Sequence, residues 1–445
     1  MHSDTTAANV SPLQAAMDSS AMTPVQILVV VLCALIGFVE GVDIGIVPLI
    51  APQIIKDWAL PASAITAILA AGPIGLTIGG ILMGYFGDLL GRRPALIGSM
   101  VLMTLGTLAT AWAGSTNQMI ICRLITGIGF GGVVPASTAL VSEFSPSRRR
   151  TTLISLTFLM QAVGGLFIAL LLSAFSHKYH WQTSALWAGI LCLAATVVIA
   201  VFLPESPRYL LATDPNGRKI GLLLERLGLR DRPEMRRVIE VPRKDGARLA
   251  QLFGNGRAQG TILLWISLFC LSMLVGFITQ WAALIYTYAG KPTSVALQAV
   301  FAFQIGGIAG GLGLPIISRK VGVTLVLSAT LLLGAVALVV LGVSLTAANA
   351  VIFVVAASVG FLIAGSLFII YSPVVAYYPT EIRATGSGAA TSFGRIGNIV
   401  APIIAGALLA GGLSPAKILM VMAAPLLVGG AAMLLFRVRC EDHAA

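Results

Sequence analysis

The sequence is poor in charge: only 10% of its 445 residues are Asp, Glu, Lys or Arg, whereas soluble domains contain about 25%. Hydrophobic residues make up 57% of the chain, and this balance excludes a soluble enzyme. The apolar residues form long runs, such as residues 190–203, rather than the short alternating segments of a transmembrane barrel. We therefore expect an all-α integral membrane protein.

The sequence also lacks the patterns of catalysis and of a resident cofactor. It has no nucleophile elbow, no Gly-rich nucleotide loop and no grouping with metal-ligand spacing. Four of the five cysteines lie inside apolar segments and Cys440 lies in the C-terminal tail, so no disulfide or metal framework is indicated. We expect neither an enzyme, nor a cofactor, nor a metal site.

Apolar runs of about 20 residues are long enough to cross a bilayer as helices. Six are predicted in the first half of the chain, at residues 26–50, 63–87, 94–113, 118–142, 151–174 and 183–203. Six follow in the second half, at residues 260–285, 295–317, 322–345, 350–377, 385–411 and 415–436. The expected organisation is two six-helix pseudo-repeats, with a tail at 1–25, a first half at 26–203, a central loop at 204–259, a second half at 260–436 and a tail at 437–445.

The positions of the 28 Lys and Arg residues indicate the orientation of the chain. Residues 204–259 hold 12 of them, and ten more lie at helix ends on the same predicted side, against four on the opposite side; Arg123 and Arg395 lie within spans. By the positive-inside rule, both termini are expected in the cytoplasm of a multi-pass protein of the inner membrane. The net charge of +11 therefore reflects topology within a lipid bilayer, and no nucleic-acid partner is expected. Since residues 1–25 lack the basic region of a secretory signal, the first apolar run is expected to remain as helix one.

Only two acidic residues, Glu40 and Asp43, lie inside a predicted span. They are three residues apart and share a helix face, where two nearby carboxylates cannot both ionise cheaply. A carboxyl group that takes up and releases a proton in a cavity is what proton-coupled transport requires, so both are candidate proton-coupling residues. The alternative is that the acids are merely solvated in a water-filled vestibule.

Two arginines are also embedded in predicted spans. Because guanidinium is always charged and matches a carboxylate with two parallel hydrogen bonds, each can pair with the helix-one acids or hold an anionic substrate. We expect Arg123 to tune the protonation of the acids and Arg395 to bind substrate or to gate, with a structural ion pair as the alternative.

Corresponding helix ends in the two halves carry similar charges. Glu143 precedes Arg149 before helix five, and Glu381 precedes Arg383 before helix eleven. A parallel six-plus-six repeat explains this correspondence economically. We expect Glu143, Arg149 and Arg383 to belong to a conformational switch at the ends of the helices.

Three motifs resemble those of the major facilitator superfamily. They are residues 84–93 (GYFGDLLGRR) between helices two and three, residues 123–132 (RLITGIGFGG) in helix four, and residues 204–210 (PESPRYL) after helix six. The order of the motifs also matches. The resemblance implies twelve helices, alternating access, and a gating role for Gly84, Asp88, Gly91 and Arg92, in which Asp88 makes charge-assisted hydrogen bonds to nearby arginines.

A narrower resemblance is to the aromatic acid:proton symporters. It rests on residues 40–43 (EGVD), 142–150, 379–386 (PTEIRATG) and 394–398 (GRIGN), and it covers almost the whole chain. It implies proton-coupled uptake of an aromatic carboxylate of the benzoate, hydroxybenzoate or phenylpropionate type. Two departures are Glu40, where many members have Asp, and Ala136, where helix four often has Asn after its proline.

An aromatic carboxylate needs flat, slightly polar walls as well as a cation. Trp281 and Gln304 are the candidates that we retain for substrate contact in the second half, although aromatic residues in spans more often pack or lie at the interface.

The sequence alone is also compatible with other functions. Uptake of another organic acid or of a sugar, or proton-driven export, would use the same fold, and a sensor would bind ligand without flux. Helix five lacks the Gly-Pro-rich pattern of the superfamily's antiporters, which favours import. Because one chain supplies both halves and the site between them, a monomer is expected.

Overall fold

The computed structural model describes residues 12–175, 179–214, 217–229, 249–254, 256–379 and 382–442. Within these ranges ten helices are long and apolar enough to cross a membrane, and a shorter apolar helical stretch covers Asn349–Ala364. Helices account for nearly all of the described chain, as the apolar runs predict.

The first half begins with a short helix, α1, and continues with six long ones. Their bounds are α1 Pro12–Asp18, α2 Pro24–Trp58, α3 Ala62–Leu90, α4 Arg92–Thr110, α5 Thr116–Phe144, α6 Ser147–Phe175 and α7 Trp181–Phe202. Two short helices follow, α8 Pro207–Thr213 and α9 Arg218–Arg226, and then a 3-10 turn, Leu249–Leu252.

The second half contains seven helices, two of which form one broken span. Their bounds are α10 Ala258–Tyr288, α11 Thr293–Val321, α12 Val323–Ser344, α13 Asn349–Val359, α14 Tyr371–Tyr377, α15 Arg383–Ala410 and α16 Pro415–Asp442. Within the described residues, the long helices of the two halves thus occupy twelve positions when α13 and α14 are counted together.

The first span shows how local chemistry sets helix ends. Thr23 caps α2 through a capping box with Gln26, and Pro24 occupies the first turn, where a missing N–H costs nothing. The helix then continues through Pro48 and Pro52 to Trp58, beyond the predicted end at residue 50. Prolines are tolerated in membrane helices because neighbouring groups satisfy the freed carbonyls.

The tenth span differs from the prediction of one helix over 350–377. After α13 the chain forms a π-helical segment, Gly360–Ala364, and then turns at residues 367–370 before α14 begins. The amide groups of Leu367 and Phe368 donate to carbonyls three residues earlier, so the ladder tightens as it leaves the π segment. Such irregular backbone in a membrane helix occurs where it lines a cavity or is buried in protein.

The two halves pack against each other through three helix pairs, α2 with α10, α3 with α15, and α6 with α11. One apolar core joins the later parts of α2 and α6, such as Ile50 and Leu172, to residues of the second half such as Leu271. The other core contains the first part of α2 and the last part of α5. Its members among the described residues come from the first half, from α8 and α9, and from the residues just after α9.

The halves are therefore joined at one end of the bundle and apart at the other. We call the end where α2 begins and α16 ends the terminal end, and the opposite one the far end. At the far end a Cβ on Gly406 of α15 would collide with Thr66 of α3. Toward the terminal end of the same helix pair, Gly84 and Gly388 have no atom within 4 Å of where a Cβ would stand. The bundle is open toward its terminal end.

The short helices α1 and α9 lie against the terminal end of the first half. Ala16 and Met17 of α1 and Leu223 and Leu224 of α9 are buried in that half's own core. The amphipathic α9 thus packs its apolar face on protein.

Asp18 at the end of α1 accepts a hydrogen bond from the Ser147 amide at 2.6 Å, at the start of α6. Partial burial opposes ionisation of Asp18, but hydrogen bonds from Ser147 and Gln14 and the charge of Arg150 outweigh it. They hold the pKa of Asp18 below its ordinary value.

Candidate functional site

The two acids of α2 are both buried, and close helix packing surrounds them. A Cβ on Gly41, between the acids, would stand 1.9 Å from the Gln161 carbonyl oxygen of α6. Only glycine allows α2 and α6 to approach this closely. The contact fixes the backbone from which both carboxylates project.

Asp43 has a cation and a hydrogen-bond donor beside one carboxylate oxygen. Its Oδ1 lies 3.5 Å from Nη1 of Arg123 on α5. The same oxygen accepts a hydrogen bond from the Thr107 hydroxyl on α4. All three side chains are buried, and a buried carboxylate is stable as an ion when a cation and a hydrogen bond compensate its charge.

Glu40 has much weaker compensation. Its Oε2 receives one long contact, 3.5 Å from Nε2 of Gln161, and its Oε1 is buried without a hydrogen-bond partner. Within the described residues no Lys, Arg or His forms an ion pair with it. The two acids share a helix face, yet they occupy different electrostatic environments.

Arg395 lies midway along α15, where the second half meets the first. A Cβ on Gly80 of α3 would stand 2.7 Å from its Nη1, so the guanidinium packs directly on that helix. Tyr371, the first residue of α14, lies near enough to interact with it electrostatically. Among the described carboxylates none is within ion-pair distance of Arg395, and the side chain is only half-buried. The structure thus presents an uncompensated cation between the two halves.

Gln304 also reaches across the boundary between the halves. A Cβ on Gly165 of α6 would stand 2.2 Å from Nε2 of Gln304, and Gly165 packs beside Gly41. Gln304 therefore lies against α6 at the point where α6 packs on Gly41, the glycine between the two acids.

Trp281 is placed differently. It is 0% exposed in the apolar core that joins the two halves, and its indole N–H has no hydrogen-bond partner. In this conformation Trp281 faces packed side chains, so the structure does not bring it together with the other candidates.

Five of the predicted switch residues, Gly84, Gly91, Arg92, Glu143 and Arg149, lie at the terminal end of the first half. Glu143 accepts a hydrogen bond from the Ser206 hydroxyl, which precedes α8. Glu205 accepts one from the Arg93 amide at 3.0 Å, and Arg93 also donates to the Ala200 carbonyl at 2.8 Å. These contacts tie the loop before α4 to the segment after α7.

Gly91 is required by this arrangement. Its φ of +106° is one that glycine adopts readily and that residues with a Cβ rarely adopt. A Cβ there would also stand 2.7 Å from Oε2 of Glu205. Arg92 has interaction partners, and its charge acts on Glu143. Gly84 faces open space, and the exposed Arg149 approaches the sulfur of Met22 at 4.0 Å.

Two predicted switch side chains, those of Asp88 and Arg383, lie outside what the structure describes. Sequence reasoning missed Glu205, Ser206, Thr107 and Gln161. Glu205 and Ser206 stand inside the motif after helix six, which could have flagged them. A single Thr or Gln in an apolar helix gives no comparable signal.

Comparison with known proteins identifies the family. The model of the Major Facilitator Superfamily matches residues 33–402. The chain is 32% identical over 404 residues to the gallate transporter of Pseudomonas putida, covering 89% of this chain and 88% of that one. It is 28% identical over 423 residues to the 4-hydroxybenzoate transporter PcaK of Acinetobacter baylyi, covering 93% and 91%.

Solved structures show the same fold. The inward open conformation of the xylose transporter XylE from E. coli superposes with a TM-score of 0.75 at 18% identity, covering 92% of this chain and 96% of that one. XylE bound to 6-bromo-6-deoxy-D-glucose gives 0.68 at 17% identity, covering 92% and 95%. At this identity the likeness concerns the fold alone.

Proposed function

The chain belongs to the major facilitator superfamily, and from this premise we propose that it is a proton-coupled symporter that imports an aromatic carboxylate by alternating access. The single observation that carries the proposal is the uncompensated Arg395 at the boundary between the halves, because a cation there costs free energy until an anion pairs with it. The gallate and 4-hydroxybenzoate transporters among the relatives support an aromatic acid. Transport of this kind needs no cofactor, and the coupling ion is the proton.

In this proposal Arg395 holds the substrate carboxylate through its two parallel N–H groups. Tyr371 lies beside the guanidinium and provides a flat wall with a polar edge. Gln304 contacts the substrate from α11, next to the acids of the first half. For Trp281 a substrate contact stays a prediction, since its side chain is fully buried in this conformation.

Proton coupling is assigned to Glu40, Asp43 and Arg123, with distinct roles for the two acids. Asp43 keeps its charge against Arg123 in the buried pair. Glu40 carries the proton, because a buried carboxylate that lacks a cation costs several kcal/mol as an ion. Proton binding at Glu40 removes that cost, and proton release restores it.

In alternating access the two halves, residues 26–203 and 260–436, move relative to each other around the site between them. Residues 204–259 and the tails 1–25 and 437–445 lie in the cytoplasm on the positive-inside rule, so the open terminal end is the cytoplasmic one. The described conformation is then inward-open, and the opposite state closes the terminal end.

Closure of that end is assigned to the switch residues of the helix ends. They are Gly84, Asp88, Gly91, Arg92, Glu143, Arg149 and Arg383. The charged residues of this set make hydrogen bonds and ion pairs that form in one state and break in the other. The transporter works as a monomer in the lipid bilayer of the inner membrane.

The test is uptake into proteoliposomes under an imposed inward proton gradient. The panel contains radiolabelled benzoate, hydroxybenzoates, phenylpropionates and glucose. We expect accumulation of at least one aromatic acid by the wild type, loss of it in Arg395→Gln, and its retention in Arg319→Gln, which removes an exposed cation at the end of α11. Accumulation of glucose alone, or of nothing in the panel, contradicts the proposal.

A further inference from the structure

A small cleft with several polar side chains lies between α2, α5 and α6, on the terminal side of the acids. Glu40 lines it from α2, Ser137 and Thr138 from α5, and Thr157 and Phe158 from α6. We propose that this cleft is a hydroxyl-binding subsite, which receives a ring hydroxyl of the transported acid and selects hydroxylated aromatic acids over unsubstituted ones. The inference rests on the proposed function and names its substrate class more narrowly.

The hydroxyl groups of the cleft present acceptors rather than donors. Ser137 donates to a carbonyl of its own helix at 3.1 Å, Thr138 at 2.8 Å and Thr157 at 2.7 Å. Each hydroxyl has one proton and two lone pairs, so each has spent its donor on the helix and keeps lone pairs for a ligand. The cleft therefore favours a ligand that brings its own O–H.

Glu40 shows most clearly that the cleft lacks a hydrogen-bond donor. Its side chain is only 4% exposed, and Oε1 has no hydrogen-bond partner. A buried acceptor without a partner costs about 1–3 kcal/mol. A ring hydroxyl that reaches Oε1 removes this penalty, whereas an unsubstituted ring leaves it in place.

The cleft and the cation that holds the carboxylate lie near the same helix, α5. Gly131, Val134 and Thr138 lie at spacings of three and four on α5 and share one face. Gly131 packs against α3, where a Cβ on Gly80 would approach both the Gly131 carbonyl and Arg395, and Val134 and Thr138 line the cleft. Seven helical residues span about 10 Å, so the cleft lies about 10 Å along α5 from the end of the stripe that neighbours Arg395.

Aromatic acids without a hydroxyl make only part of these contacts. Phe158 gives the cleft one flat apolar wall, which any ring can use. The hydroxyl contacts are lost, and binding sites built to pair a substrate hydroxyl discriminate strongly against analogues that lack it. Selectivity for hydroxylated rings is thus a direct consequence of the acceptors.

The experiment measures inhibition constants of benzoate, 3-hydroxybenzoate, 4-hydroxybenzoate and 3,4,5-trihydroxybenzoate on purified protein in proteoliposomes. Variants are Thr138→Val and Ser137→Ala, which remove a hydroxyl with little change of shape. The control is Thr126→Val on the same helix, whose hydroxyl bonds only to the Cys122 carbonyl, outside the cleft.

We expect the wild type to bind at least one hydroxylated acid about tenfold tighter than benzoate, which corresponds to about 1.4 kcal/mol. Thr138→Val or Ser137→Ala reduces that preference severalfold while benzoate still binds, and its binding reports that the variant is folded. Thr126→Val keeps the full preference.

Two outcomes overturn the inference and are distinguishable from each other. If the wild type binds benzoate and hydroxylated acids equally, or if Thr138→Val and Ser137→Ala keep the preference, the cleft does not bind a ring hydroxyl, while the proposed function stands. If no acid of the panel binds, the proposed function fails and the inference fails with it.

Discussion

Asp43 and Glu40 stand one helical turn apart, yet their surroundings are opposite. Asp43 has a guanidinium at 3.5 Å and a hydroxyl hydrogen bond, while Glu40 has one long amide contact and an oxygen with no partner. A buried carboxylate with a cation and a hydrogen bond beside it is stable as an ion, whereas a buried carboxylate without a cation favours proton uptake. The role of an intramembrane acid therefore follows from its partners rather than from its position in the sequence.

The largest expected effect comes from removing the cation that distinguishes the two acids. Arg123→Gln leaves Asp43 buried without a cation, and breaking a buried ion pair costs about 3–5 kcal/mol. We expect loss of uptake and a clear drop in thermal stability in detergent. Arg123→Lys, which keeps the charge, is the matched variant and should retain part of both; equal loss in the two variants would mean that charge is not what matters at this position.

The next effect comes from the glycine between the acids. Gly41→Ala places a methyl group 1.9 Å from the Gln161 carbonyl oxygen, so α2 and α6 must separate. We expect destabilisation of about 3 kcal/mol, at the upper end for overpacking, together with loss of uptake. Gly98→Ala is the control, since no atom lies within 4 Å of its Cβ position. Normal melting and uptake of Gly41→Ala would show that this close approach is not needed.

A smaller effect is expected from the hydroxyl that supports Asp43. Thr107→Val removes a hydrogen bond to a charged group, which we expect to cost about 1.5 kcal/mol because Arg123 remains. Uptake should fall about tenfold, measured as initial rate under a proton gradient. Thr104→Val, on the same helix, breaks a hydroxyl pair with Thr196 and should leave the rate unchanged. If both variants transport equally well, Thr107 does not support Asp43.

The smallest effect concerns a third carboxylate, outside the membrane-spanning segments. Hydrogen bonds from Ser147 and Gln14 hold the pKa of Asp18 below its ordinary value near 3.8. A depressed pKa means that the docking of α1 is supported above that value and weakens as pH falls through the lower, folded-state pKa. Asp18→Asn should speed hydrogen exchange at Ser147 at neutral pH and abolish the acid dependence that we expect of the wild type. Identical exchange in both proteins would remove Asp18 from the contact.

Much of the fold could be predicted from the sequence, because membrane helices are set by long apolar runs and topology by basic residues. The acids and Arg395 were identifiable for the same reason, since a charge inside an apolar run is conspicuous. The break in the tenth span was not predictable, because residues 360–377 are mostly apolar and Gly365, Ser366, Ser372 and Pro373 are also tolerated within membrane helices.

The partners of the acids could not be predicted either. Thr107 and Gln161 lie 64 and 121 residues from the acids that they contact. They come close because α6 packs on α2, and because α2 and α4 both pack on α5 and α7. The contrast between Asp43 and Glu40 is thus a property of tertiary structure. From the sequence alone the two carboxylates were equivalent candidates.

The most direct test of the account compares Glu40→Gln with Asp43→Asn in two assays on the same proteoliposomes. One assay measures accumulation of the aromatic acid driven by a pH gradient, and the other measures exchange of internal for external acid without a gradient. We expect Glu40→Gln to lose accumulation but keep exchange, because Gln preserves an acceptor but cannot carry a proton, and we expect Asp43→Asn to lose both. Gradient-driven accumulation by Glu40→Gln at the wild-type level would contradict it.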